Sequence, residues 1–171
     1  FTFNAFQQSF ERNLLQWLFD NLSSRVVTIA DTYKDFLTNI IAKGIDEGLT
    51  MQEITTQIKN RINQRGFYRW QALRIARTET TAAANYASLQ SGRISGVQME
   101  KVWISGRDAR TRRPPKSKYN HYIMDGQRVD EDELFETPAP TGIEKMLFPG
   151  DPKASAGNVI NCRCNATLVV K

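Results

Sequence analysis

"YRWQALRIARTETTAAANYASLQSGRISGVQMEKVWIS", residues 68–105, holds the change of period that decides the fold. From about Tyr68 to Ser91, Trp70, Leu73, Ala76, Ala83, Ala84 and Ala87 recur at helical spacing, which predicts a helix with a small-residue surface that packs closely and ends at Gly92. After Gly96 the period changes, and "QMEKVWIS" reads as a strand. Helical patterns precede this point and short, turn-bounded strands follow it. The fold class is therefore α+β: N-terminal helices, then a small, mostly antiparallel sheet packed on the fourth helix.

Upstream, Phe6, Phe10, Leu14, Leu18 and Leu22 form a stripe that Trp17 and Phe19 widen. Ser23 and Ser24 offer a break and a new cap, and Val26, Ile29, Tyr33, Leu37 and Ile40 carry a second stripe toward Gly44, which suits a helix C-terminus. The two make a helical hairpin. Thr50 and Glu53 have the spacing of a capping box, with Met51, Ile54, Ile58 and Ile62 as the helical face behind it and a stop near Gly66. Residues 1–44 are read as a helical extension or docking arm and 45–171 as the domain proper. The first residue is Phe1, not Met, so the chain is expected to be a fragment or a processed product.

Downstream, Asp125-Gly126 separates "YNHYIM" from "QRV" in the manner of a hairpin. An acidic run, Asp130 to Glu136, leads to "TPAPTG"; "KMLF" is a short apolar segment ended by the turn "PGDP"; and "NVINCRCNATLVV" reads as the last strand.

The net charge of +5 is concentrated in one place. Residues 105–118, "SGRDARTRRPPKSK", carry Arg107, Arg110, Arg112, Arg113, Lys116 and Lys118 against Asp108 alone, and the rest of the chain balances. That describes a neutral protein with one basic loop, whereas a dedicated nucleic-acid domain is usually basic over a face. The loop suits phosphates or an acidic protein surface, stiffened by Pro114-Pro115. No apolar run is long enough to span a membrane.

Cys162 and Cys164 are the only cysteines and His121 the only histidine. Two residues apart on a strand, the thiols share a face at a Cα separation of roughly 6.5–7 Å, unfavourable for a disulfide. They read first as small buried hydrophobes; the alternative is a zinc site with His121 as third ligand and Asp108 or water as fourth. His121 reads first as a hydrogen-bonded structural residue, and second as a general acid or base beside Asp108 or Asp125. Arg77 and Glu79 have no opposite charge at helical spacing on their own helix, so they are solvated or reach the sheet, where Asp108 and Arg163 are candidate partners. Glu131 and Glu133 have the spacing of the paired glutamates of ADP-ribosylating enzymes, a match that costs little inside "DEDE".

In order and spacing, "RIARTETTAAANYASL", "VWISGRDARTRRPPKSKYNHYIMDGQRV", "LFPGDP" and "NVINCRC" resemble the C-terminal domain of the phage head morphogenesis family named after the F protein of phage Mu. The resemblance covers about Gly44 to Val170. It lands on Arg77, Thr78, Glu79, Trp103, Asp108, Arg110, His121, Asp125, Gly126, Pro149, Gly150, Asp151, Asn161, Cys162, Arg163 and Cys164, with "RPPKSKY" before His121 as a departure. What it implies is a minor head protein of a tailed double-stranded DNA phage, found in the virion head at the portal vertex or capsid interior, and in the host cytoplasm during assembly. Its partners would be the portal protein, other head or scaffold proteins and double-stranded DNA, with no membrane, small-molecule substrate or cofactor. In this reading Arg77, Glu79, Asp108, His121 and Arg163 form a structural polar network, the N-terminal helices dock on the portal or reach into the head interior, and the basic loop faces DNA or an acidic neighbour. The rival reading is an enzyme, a nuclease or an ADP-ribosyltransferase-like toxin, built from His121, Asp108, Arg77 and Glu133.

Overall fold

The element on which the rest is assembled is α4, Arg69–Ser95, 27 residues long. In the computed structural model, which describes residues 3–21, 31–63 and 69–171, it follows α1 (Phe3–Asn21), α2 (Asp31–Asp46) and α3 (Met51–Asn63). The break at Ser23 and Ser24, Val26, Ile29, the stop at Gly66 and the start at Tyr68 lie outside the described residues. The capping box forms as the spacing requires: the backbone N–H of Thr50 donates to Glu53 Oε2 at 2.7 Å and that of Glu53 to Thr50 Oγ1 at 3.3 Å.

Gly92 does not end α4. The helix runs on to Ser95 and stops where Gly96 takes φ +69°, the left-handed conformation a helix terminus needs. Gly92 serves packing instead, because a Cβ there would lie 2.5 Å from Leu168 Cδ1. Position 44 likewise falls inside α2, against Ile54 of α3. One core runs across it, joining Leu14 and Leu18 of α1, Leu37 and Ile41 of α2, Ile54 and Ile58 of α3, and Ile75, Ala76, Ala83 and Ala87 of α4. Trp17 stacks on Tyr86 of α4 with ring centroids 4.6 Å apart, so α1 is packed on the domain.

The strands are β1 (Met99–Ile104), β2 (Arg128–Asp130), β3 (Phe135–Ala139), β4 (Gly142–Met146) and β5 (Asn165–Val170), with a short helix α5 (Ala156–Val159) before β5. They form two antiparallel sheets, one of order β2-β1-β5 and one pairing β3 with β4. Two expectations are corrected here, for "YNHYIM" and for the last strand, and "TPAPTG" gains an element. "YNHYIM" is turn, and Gly126 and Gln127 close on β1 through Trp103, so "QRV" pairs with β1. "TPAPTG" lies in the β3–β4 hairpin, where Pro138 is tolerated because β3 has a neighbour on one side only. The last strand begins at Asn165: Asn158 and Val159 are helical and Asn161 has φ +58°, which no strand accommodates.

A second core gathers around Trp103, with Met124, Phe135, Met146, Val159, Cys162 and Cys164. It lies between the two sheets and the 105–127 loop, and it holds the chemistry.

Candidate functional site

Thr78, Ala82 and Asn85 stand at i, i+4 and i+7 on α4 and so share one face. Each holds a different part of the C-terminal third. Thr78 Oγ1 accepts the N–H of Asn161 at 2.9 Å, fixing the turn before the cysteines. Ala82 is small enough for Gly150 to approach, with the glycine at φ +88° and its would-be Cβ 3.3 Å from Ala82 Cα. Asn85 donates to the carbonyls of Pro149 and Cys164 at 2.8 and 3.1 Å and accepts from the N–H of Ala166 at 2.8 Å. The small-residue surface of "TTAAANYA" is thus the template on which "PGDP" and "NCRC" are folded.

That folding delivers both thiols to His121. Nδ1 of the imidazole lies 3.6 Å from Cys162 Sγ and 3.6 Å from Cys164 Sγ, and the three residues are at most 4 % exposed. Their ligand atoms all lie within 4.8 Å of one another, and among the described residues this is the one such histidine and cysteine cluster. The far nitrogen, Nε2, is 2.9 Å from Asn158 Oδ1, and Asn158 Nδ2 in turn donates to Glu144 Oε2 at 2.8 Å. A carbonyl oxygen accepts only, so Nε2 carries the proton and Nδ1 presents its lone pair to the sulfurs when the ring is neutral. Trp103 packs edge-on to the ring at 5.5 Å. Both cysteines are free thiols.

The pair is polarised. Hydrogen bonding with Cys164, and then His121, holds Cys162 well below the usual thiol range against the effect of burial. Cys164 is raised, by its bond to Cys162 and by burial, with the indole of Trp103 acting the other way. One sulfur therefore carries charge more readily than the other, which suits a metal ligand as well as a shared thiol proton.

Asp108 is not in this cluster. Its carboxylate accepts from Arg163 Nη2 at 2.7 Å, from the N–H of Arg110 at 3.0 Å and from Thr111 Oγ1 at 3.1 Å. The Arg163 bond, with these two, holds it down to about 2. Arg77 meets Arg163 and Arg110 across a cleft of about 340 Å³ that Lys59, Thr55 and Gln52 of α3 complete. Of the expected polar network, Asp108 and Arg163 are directly bonded, Arg77 faces them across the cleft, Glu79 is buried within α4 at 2 % exposure, and His121 belongs to the thiol site.

The basic loop divides in two. Arg107 pairs with Asp125 at 2.7 Å, Arg112 donates to the carbonyl of Ile160, and Arg113 lies over the Tyr122 ring at 4.8 Å. Lys116 and Lys118 are exposed. Glu133 accepts from the N–H of Asp130 and its carbonyl receives Lys101 Nζ. Both contacts are to residues of β1 and β2 and to none of His121, Asp108 or Arg77.

Sequence reasoning missed Asn158, Glu144, Asn85 and Lys101. Asn85 was detectable as the polar residue breaking an alanine run on a packing face; Asn158 and Glu144 have no periodic signal, because a one-turn helix and a hairpin bring them together.

The sequence model described as "Phage Mu protein F like protein" matches residues 35–167. The uncharacterized protein YqbB of Bacillus subtilis (strain 168) is 31% identical over 140 residues, 82% of this chain and 42% of that protein, so this chain spans less than half of its relative. No solved structure matches. Among the described residues no helix is long and apolar enough to cross a membrane.

Proposed function

The chain belongs to the phage Mu protein F-like family, a phage head morphogenesis family, and from that premise we propose that it is a minor head protein of a tailed double-stranded DNA phage. In this reading it sits in the virion head near the portal vertex, beside the portal protein and other head proteins, with its basic cleft turned toward packaged DNA.

The observation that carries the DNA-facing part is the convergence of Lys59, Arg77, Arg110 and Arg163 on one cleft from α3, α4, the 105–127 loop and the segment before β5. Asp108 offsets only part of that charge, through Arg163 and, at 3.7 Å, Arg110. Thr55 and Gln52 add neutral polar groups to the cleft, and Arg113, Lys116 and Lys118 are exposed on the basic loop. A phosphate backbone offers such a face repeated charge and acceptors without sequence information.

The test is anisotropy of a short labelled duplex titrated with the chain at several salt concentrations. Lys59→Glu with Arg77→Glu is expected to weaken binding about tenfold or more at low salt and to reduce the salt slope by about 2, since two phosphate contacts are lost. Arg112 is left intact because it holds Ile160. Wild-type affinity in the double variant would overturn the DNA-facing assignment, and failure to co-purify with the portal protein from assembled heads would overturn the portal one.

A further inference from the structure

We propose that Cys162, Cys164 and His121 hold one zinc ion, which ties the 105–127 loop to the segment entering β5. The proposal does not depend on the DNA-facing reading, since none of its residues needs to meet a partner.

Geometry carries it. Zinc held tetrahedrally at about 2.3 Å from sulfur and about 2.0–2.1 Å from nitrogen places an imidazole nitrogen about 3.5–3.6 Å from each thiolate sulfur. The separations here are 3.6 Å to Cys162 and 3.6 Å to Cys164, from the same atom, Nδ1. One thiol S–H donating to Nδ1 accounts for one such approach, whereas two sulfurs at the same distance from one nitrogen is the arrangement that a shared ion produces. The Cys-x-Cys spacing achieves this because the chain is not a strand at that point; the left-handed Asn161 turns it so that both sulfurs meet the histidine.

The surroundings match what a zinc histidine requires. Such a ligand donates its other N–H to a fixed acceptor, which sets tautomer and ring orientation. Nε2 has Asn158 Oδ1 at 2.9 Å, and Asn158 is itself held by Glu144 at 2.8 Å, so a carboxylate stands behind the histidine through one amide. The buried indole Nε1 of Trp103 has no conventional acceptor, and the Cys164 sulfur is the group it influences. Two thiolates and a dication sum to zero, a charge state that a buried site tolerates well.

Room for a fourth ligand lies beside two of the three proposed ones. Thr111, Arg112, Asn161 and Arg163 join His121 and Cys164 around a void of about 10 Å³, space on the order of one water. Water is the fourth ligand in this assignment. The donor set has no carboxylate, which disfavours magnesium and calcium, and it lacks the four cysteines of an iron–sulfur cluster.

The experiment uses the whole chain, exposed to zinc chloride, desalted without chelator and measured by plasma mass spectrometry. About one zinc per chain is expected, falling to under a tenth in Cys162→Ser and in Cys164→Ser. Because a variant that fails to fold also loses metal, the wild-type chain is titrated separately with cobalt(II) chloride. Thiolate-to-cobalt charge-transfer bands that saturate at about one equivalent and vanish on adding zinc support the site. Asn158→Ala, which keeps every ligand, is expected to weaken zinc about 10–100-fold in competition with a chromophoric chelator. A folded wild-type chain with under a tenth of an equivalent of zinc and no charge-transfer band would overturn the proposal.

Discussion

Arg163 Nη2 donates to Asp108 Oδ1 at 2.7 Å, joining the basic loop to the turn before β5 across 55 residues of chain. The bond fixes two things at once. It draws the loop that carries His121 against the segment that carries the cysteines, and it leaves Arg163 facing Arg77 in the cleft.

Asp108 therefore contributes to stability in a defined pH window. Its folded value of about 2 lies below the ordinary 3.8, so its contribution is complete above about pH 4 and is lost as pH falls toward 2. Urea midpoints of the wild type and Asp108→Asn, compared at about pH 6 and about pH 2, should show a gap that closes in acid. A gap that persists unchanged would mean that the carboxylate charge is not what holds the loop.

Asn85 is 3 % exposed and satisfies three backbone groups of the C-terminal third. Asn85→Ala would strand the carbonyls of Pro149 and Cys164 and the N–H of Ala166. At about 1–3 kcal/mol for each buried orphan, and less than additively, a loss of about 2–4 kcal/mol is expected from chemical denaturation. A loss below about 1 kcal/mol would show that water replaces the amide without difficulty.

The helical half and the α+β class were legible because they rest on long periods and on a capping box with fixed spacing. The half around His121 was not. In "YNHYIM" a strand pattern was read, yet Ile123 is 56 % exposed while Met124 is fully buried, so the apolar residues do not mark a common face. Gly92 and Gly44 looked like helix stops, because sequence does not separate a glycine that ends a helix from one that admits a neighbour. The cysteines and histidine were identified as candidate ligands and ranked below packing, for want of a clear fourth ligand. What raised them was the equal approach of both sulfurs to one nitrogen, a three-dimensional fact with no spacing signature.

Lys101 carries the last prediction. In the middle of β1 its side chain is fully buried, with Nζ donating to the carbonyls of Glu133 at 2.6 Å and Leu147 at 2.9 Å and lying 5.4 Å from the Phe135 ring centroid. Burial, then Arg93, lowers it to about 8, with Asp132, Glu131 and Asp151 opposing. The unfolded chain thus binds more protons than the folded one between about pH 8 and 10.5, so this group makes the protein more stable as pH rises through that window and least stable below it. Lys101→Met keeps the bulk and removes the titration. The stability difference, wild type minus variant, should rise by up to about 3 kcal/mol between about pH 7.5 and 10.5. A difference that stays flat would show that the ammonium is fully compensated by its two carbonyls and the aromatic face.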